Sequence, residues 1–282
     1  MGLVDIILNV AALLLWLNWR EMRQARREKP DRISLAGLLK YAGKPSHRQW
    51  WLILIIPIVL LVRALIFQQV GPSLHWTPRL SLELITLPFH SNFPGRMLSY
   101  SVLNFLLLLG RVYILLLFLS MVNRGALEHD MIQRWVRMQL GRLDRWPFWL
   151  QIFLILIVAV ASWFSVTPLL RHLGITPESH THMRTAIEGL LIGISALLIC
   201  KYLMVGVLIL YVANTYIYFG RSPLWEFVQV TGQNLLWPVR FIPLLFGKLD
   251  LRPMVMLALV GGAAYGCELA LEKIYFYLPR WV

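Results

Sequence analysis

Six long apolar runs dominate the chain, and the polar residues are gathered into the segments between them. The runs cover residues 3–19, 50–70, 101–122, 147–169, 189–219 and 253–278. A bilayer core about 30 Å thick needs roughly 20 apolar residues per helix, so each run is long enough, or nearly so, to cross a membrane. The pattern predicts an all-α, polytopic membrane protein of about six transmembrane helices. The fifth run would be roughly 46 Å long at about 1.5 Å per residue, so we expect it to tilt or project beyond the bilayer.

Composition agrees with membrane insertion. Hydrophobic residues make up 58% of the chain and charged residues only 15%, against about 25% charged in soluble proteins. The mean hydropathy of +0.64 excludes an ordinary soluble domain. The first run has no basic segment before it and the charges follow it, which predicts a retained span rather than a cleaved signal peptide.

Basic residues are distributed unevenly among the segments between the runs. Nine Lys and Arg lie in 20–49, five in 123–146 and four in 220–252, but only two each in 71–100 and 171–186. The positive-inside rule therefore makes the first three segments cytoplasmic and puts both termini on the other side. With a net charge of +13, these loops are expected to meet the anionic inner leaflet. Nucleic acid is the lesser alternative, because the basic stretch 20–32 has no interleaved aromatic residues.

This topology pairs the spans into three hairpins, each joined by a cytoplasmic loop, and predicts divisions at 1–70, 101–170 and 187–282. The second and third hairpins share the pattern GxLDxxP just before their second span. Its members are Gly141, Asp144 and Pro147 in one copy, and Gly247, Asp250 and Pro253 in the other. Glycine permits a turn with positive φ, Asp can cap the helix that follows, and Pro fits a first helical turn. The equivalent first-loop stretch, 43–49, keeps only the glycine.

Each copy of GxLDxxP is preceded by a short amphipathic stretch, 131–140 or 224–237. In the first, five apolar residues recur at helical spacing: Met131, Ile132, Trp135, Val136 and Met138. Arginines lie between and after them, which is typical of a helix lying flat at an anionic membrane surface. Both stretches are predicted to be short interfacial helices in the cytoplasmic loops.

The third loop carries a recognisable signature. Pro238, Arg240 and Pro243, followed by the second copy of GxLDxxP, resemble the PxRxxxP loop of the YggT family of integral membrane proteins. The resemblance covers about 101–278 and is strongest in 222–257, and the copy at Asp144 looks like a shortened second repeat. It implies a small bacterial inner-membrane protein associated with cell division, membrane-complex or cofactor assembly, and osmotic tolerance.

Some charged residues lie inside the apolar runs, where a basic residue costs about 2.5 to 3.5 kcal/mol on insertion scales and is a candidate for function. The candidates are Arg63, Arg111, Lys201 and Glu268. Arg63 lies seven residues from the outer end of its run, so it could snorkel to the surface or pair with a carboxylate or carbonyl inside the bundle. Arg111 and Lys201 sit at similar depth and could line an anion-friendly cavity, contact lipid headgroups or pair with carboxylates. Glu268 is the predicted partner of Lys201.

Little in the chain suggests catalysis or a cofactor. The sequence has no GxSxG, HExxH, P-loop or GxGxxG motif, and its carboxylates are scattered. His172, His180 and His182 could bind zinc, but no fourth ligand accompanies them, and solvent-facing histidines are the simpler interpretation. Cys200 and Cys267 lie inside apolar runs and form no metal motif. We therefore expect no enzyme activity, cofactor or metal.

Two functions remain. The first is a non-enzymatic scaffold or assembly factor whose loops, around Asp144, Arg240 and Asp250, bind a membrane or cytoplasmic protein. The second is an ion or small-solute channel or transporter with Arg111 and Lys201 in its pathway. The residues of the recognisable motifs lie in loops rather than in spans, and this favours the scaffold.

Overall fold

Within the part of the chain that the structure describes, six helices are long and apolar enough to cross a membrane. The computed structural model describes residues 2–25, 51–71, 77–91, 93–125, 131–176, 181–217, 220, 222–243, 245–246 and 249–281. The candidate spans are Gly2–Arg23, Ile53–Val70, Pro94–Val122, Phe148–His172, His182–Tyr216 and Arg252–Tyr277. They match the six apolar runs, so the predicted all-α, polytopic membrane fold is confirmed.

The helices are numbered in chain order. They are α1 (Gly2–Ala25), α2 (Trp51–Val70), α3 (Pro94–Val122), α4 (Met131–Leu140), α5 (Phe148–His172), α6 (His182–Leu197), α7 (Cys200–Tyr216), α8 (Pro223–Leu235) and α9 (Arg252–Trp281). Two short 3₁₀ helices, η1 (Gly141–Arg145) and η2 (Trp237–Val239), follow α4 and α8. Two antiparallel strand pairs complete the described elements: β1 (Arg79–Ser81) with β2 (Thr86–Pro88), and β3 (Leu245–Phe246) with β4 (Leu249–Asp250).

Large apolar side chains point outward along the long helices. Leu54 on α2, Phe153 on α5 and Tyr265 on α9 are among the exposed ones. A soluble protein rarely shows so much contiguous apolar surface, whereas a bilayer requires it. The exposed faces of these helices are therefore the lipid-facing surface.

The chain divides into two compact units: Met1–Val112 with Ser162–Thr185, and Tyr113–Ala161 with Ala186–Val282. In the first unit α1 packs against α2, and Ala12, Ile56, Leu60 and Phe105 form a buried cluster. In the second unit the apolar core comes from α7, α8, η2 and α9. Its buried members are Val207, Leu208, Leu235, Leu236, Val239, Met256 and Val260.

Both predicted amphipathic helices form, as α4 and α8. The residues of α4 that are buried within the protein are Gln133, Val136, Gln139 and Leu140. The other members of the predicted apolar set, Met131, Ile132, Trp135 and Met138, keep part of their surface exposed. From the buried face, the Gln133 side chain donates a hydrogen bond to the Asn123 carbonyl.

The predicted single fifth helix is also modified. It divides into α6 and α7 at Leu198 and Ile199, and α7 ends at Tyr216. The hydropathy pattern gave no sign of this division, because most of the residues around it are apolar.

Candidate functional site: loop surface and intramembrane charges

The loop that follows α8 presents aromatic side chains while one of its residues anchors it to the core. Val239 is buried among residues of the second unit's core, with 1% of its surface exposed. Its neighbours Trp237 and Phe241 are 64% and 79% exposed, and their rings pack edge-to-face with centroids 6.3 Å apart. Arg240, between them, is exposed as well. We call residues 237–243 the aromatic loop.

The sequence signature coincides with this loop. Pro238 and Pro243 flank Arg240, and both prolines are exposed. Pro238 lies in η2, where its fixed φ suits a short helical turn. The backbone N–H groups of Arg240 and Ile242 donate to the carbonyls of Trp237 and Val239, and these hydrogen bonds form two overlapping turns. The loop therefore has a defined shape, and Arg240 is exposed at a position between Trp237 and Phe241 in the chain.

Asp250 of the second GxLDxxP copy acts as predicted at a helix start. Its Oδ1 accepts a hydrogen bond from the backbone N–H of Arg252, the first residue of α9, at 3.0 Å. Pro253 is buried in the first turn of that helix. Gly247 lies outside the described residues. The Asp250 carboxylate thus has a partner within the chain, and its contact is a structural one.

The first copy of the motif behaves differently. Gly141 has a φ of +62°, as the turn required, and Pro147 directly precedes α5. Asp144, however, does not cap that helix. Its carboxylate accepts a hydrogen bond from Ser120 Oγ on α3 and lies 3.7 Å from Nε of Arg137 on α4. It joins three elements, and this is also a structural role.

A separate network of side-chain amides in the second unit is centred on Asn123. Asn123 Nδ2 donates to Thr231 Oγ1 at 2.8 Å, and Asn234 Nδ2 donates to Asn123 Oδ1 at 2.9 Å. Gln133 Nε2 donates to the Asn123 carbonyl at 3.3 Å. Asn123 therefore links the end of α3 to both short loop helices. Sequence reasoning missed it, because a single asparagine at a helix end carries no signal of its partners.

In the first unit, Arg63 is the centre of a buried polar cluster. Its side chain is fully buried, it forms an ion pair with Asp5, and its Nη1 donates to Asn9 Oδ1. Asn104 donates to the Asp5 carboxylate at 3.1 Å, and the Tyr100 hydroxyl lies 3.4 Å from it. Of the two alternatives for Arg63, the structure shows pairing inside the bundle, because carboxylate and amide partners on α1 satisfy its side chain there.

Arg111 pairs with an unexpected partner. Its Nη2 lies 2.7 Å from Glu83 Oε1 and 3.1 Å from the Ser81 carbonyl. Glu83 is at the tip of the β1–β2 hairpin, which precedes α3 in the chain. At about 1.5 Å per residue, Arg111 lies about 25 Å along α3 from the helix's first residue, Pro94. The segment predicted as a simple outer loop thus folds back along α3. Its tip closes by a 2.9 Å hydrogen bond from Leu82 N–H to the Ile85 carbonyl.

Lys201 pairs with Glu268, as predicted from sequence. Its Nζ also lies 4.9 Å from the centre of the Tyr202 ring. Lys201 and Arg111 each have a carboxylate partner within their own unit. This favours the structural alternative over the anion-lined cavity.

The three histidines considered for zinc lie at and between the ends of α5 and α6 in the chain. His172 and His182 are exposed, and His180 lies outside the described residues. Among the described residues, no group of three His, Cys, Asp or Glu side chains is placed to hold a metal ion.

Fold and contacts together define a multi-pass α-helical membrane protein with the buried Arg63–Asp5 ion pair and a shaped, aromatic loop. A comparison with family models finds no match, and comparisons with curated proteins and with solved structures find none either.

Proposed function

We propose that this protein is a non-enzymatic scaffold or assembly factor of the bacterial inner membrane, and that a protein partner binds to its aromatic loop. The observation that carries the proposal is the contrast within the loop: Val239 is locked into the core, whereas Trp237 and Phe241 are exposed. Rigid aromatic and arginine side chains are the residues that most often dominate protein interfaces. A fixed base limits the entropy lost when a partner binds.

The contacts of the loop residues reduce the set of candidate docking residues. Asp144 and Asp250 were candidates on sequence grounds, but both carboxylates bind groups of this chain. Arg240, Trp237 and Phe241 are exposed members of the signature region and carry the charged and aromatic side chains of the loop. The resemblance of 222–257 to the YggT family supports the proposal, since its signature includes Arg240 and the two flanking prolines.

Localisation and orientation are part of the proposal. The basic loops, including the aromatic loop, face the cytoplasm and the anionic inner leaflet, and both termini face the other side. The uneven distribution of Lys and Arg supports this orientation. A partner would then be a cytoplasmic protein or the cytoplasmic part of another membrane protein.

Site-specific photo-crosslinking in native membranes tests the proposal. A benzophenone amino acid placed at Phe241 should give one defined protein adduct, and Arg240→Ala in the same chain should reduce it. Trp149 is the matched control, because it is 78% exposed at the start of α5. If Phe241 and Trp149 yield the same adducts, or lipid adducts alone, the aromatic loop is not a specific docking surface.

A further inference from the structure

The long helix formed by α6 and α7 is tightened near its middle. Backbone N–H groups of Leu198, Ile199, Lys201 and Tyr202 bind the carbonyl three residues earlier, at 3.0 to 3.4 Å, rather than four residues earlier. Such a 3₁₀ segment inside a longer helix often marks a hinge. We call residues 195–202 the tightened segment.

No helix-breaking residue accounts for this geometry. There is no Gly or Pro between Gly193 and Gly206. Ser195 is buried, and its hydroxyl donates to the Ile192 carbonyl at 2.9 Å, a back-bond of the kind that bends helices. Apart from Lys201, the rest of the segment is apolar, and all of it is compatible with a helix. A more regular helix is therefore accessible to the same residues.

The two halves of the long helix are attached to different neighbours in the second unit. On α6, a Cβ added at Gly193 would lie 2.9 Å from Ala159 Cβ, so α6 packs closely on α5. On α7, the Tyr211 ring lies directly against Gly232 of α8, and Leu208 is buried in the core with residues of α8 and α9. Bending between the halves would displace α5 and α6 relative to α7, α8 and α9.

An ion pair lies at this junction. Lys201 is inside the tightened segment, and its partner Glu268 is on α9, so the pair ties the start of α7 to α9. The Glu268 side chain is 41% exposed, although it lies within a candidate span. Ionisable residues at such positions are expensive in a membrane and are usually functional.

We propose that residues 195–202 form a hinge and that the Lys201–Glu268 ion pair is the clasp that holds it in the observed conformation. When the pair separates, the bend relaxes and α6 moves with α5, while α7 stays with α8 and α9. Such a device has two packed states, and anything that competes for Lys201 or Glu268 shifts their populations.

The two native cysteines allow a direct test. Cys200 is buried next to Lys201, and Cys267 is exposed next to Glu268. In a Cys267→Ser background, Cys200 is the only thiol, and its alkylation by N-ethylmaleimide reports opening at the hinge. We expect slow alkylation in the parent. Removing both charges, in Lys201→Met/Glu268→Gln, should speed alkylation about tenfold, within the roughly 5- to 150-fold range of two-state couplings.

Two controls separate a clasp from general loosening. The swapped pair Lys201→Glu/Glu268→Lys should return alkylation to the parent rate, because the attraction is restored. Leu208→Cys, in a chain without the native thiols, reports on a fully buried position of α7 outside the hinge. Its alkylation should stay slow when both charges are removed. An unchanged Cys200 rate without the charges, failure of the swap, or equal acceleration at position 208 would overturn the proposal.

Discussion

Asp5 and Arg63 form an ion pair between α1 and α2, although 58 positions separate them in the chain. Arg63 has no exposed surface, and Asn9, one helical turn beyond Asp5, shares the same guanidinium. The pair therefore attaches the N-terminal helix to the first unit through charge as well as through apolar packing.

Removing one member of this pair should be strongly destabilising. Asp5→Asn leaves the Arg63 charge buried without a carboxylate, and the expected loss is roughly 3 to 5 kcal/mol of unfolding free energy. Unfolding by SDS in mixed micelles, followed by circular dichroism, measures it. Asp5→Asn/Arg63→Met should recover part of the loss, and Arg79→Met, at an exposed position, should have little effect. Equal stability of Asp5→Asn and the parent would contradict the assigned role.

Loss of the Asp250 cap should destabilise the protein less than loss of the Asp5–Arg63 ion pair. Asp250→Ala removes the acceptor for the Arg252 N–H and should cost about 0.5 to 2 kcal/mol, the usual range for a lost helix cap. Asp250→Asn keeps an oxygen acceptor and should stay close to the parent. Both variants should retain the Phe241 crosslink. Loss of that adduct in a stably inserted Asp250→Asn protein would instead assign the carboxylate a direct docking role.

Gly232 packs so closely against the Tyr211 ring that a side chain at this position should destabilise the core. A Cβ at this position would lie 2.5 Å from Cδ2 and 2.6 Å from Cγ of the Tyr211 ring. Gly232→Ala should therefore force the ring and α8 apart, at about 1 to 3 kcal/mol for an overpacked core. Gly206→Ala is the matched control in α7, because nothing lies within 4 Å of its added Cβ. A Gly232→Ala protein as stable as Gly206→Ala would show that this contact is not tight.

The buried amide network predicts energetic coupling between α3 and α8. Thr231→Val and Asn123→Ala should each cost roughly 1 to 3 kcal/mol, because each leaves a buried polar partner unsatisfied. In the double variant the losses should not add, with a coupling energy of about 0.5 to 3 kcal/mol. Strict additivity in the unfolding measurements would mean that the two side chains act independently.

Orientation can be tested with single thiols in a cysteine-free chain. A membrane-impermeant maleimide added to intact cells should label His182→Cys but leave Arg145→Cys unlabelled until the membrane is opened. Both positions are exposed in the structure. The opposite labelling would reverse the orientation inferred from the basic loops.

Sequence patterns predicted features that depend on neighbouring residues. The six spans follow from hydropathy, which can be summed over about 20 consecutive residues. The positive φ of Gly141 and the cap formed by Asp250 are likewise properties of short segments. The Lys201–Glu268 pair could be predicted from the sequence because a charged residue inside an apolar run is easily recognised and needs a partner.

Other features involve residues whose sequence context gives no sign of their partners. Asp144 was predicted to cap α5, but Ser120 on a neighbouring helix binds its carboxylate instead. Sequence left open whether Arg63 reaches the surface or pairs in the interior, and only helix packing shows that Asp5 is its partner. The aromatic loop was marked by its prolines and arginine, but which of its side chains face outward depends on the burial of Val239.

By itself, the sequence determined that this chain crosses the membrane and where its spans lie, because the preference of an apolar helix for lipid depends only on its own residues. The tertiary structure decided which intramembrane charges are paired, which face of α4 is buried and where the long helix tightens. Those outcomes depend on the groups that neighbouring helices bring within a few ångströms. Hydropathy is a property of a segment's own residues and does not specify which helices pack against it.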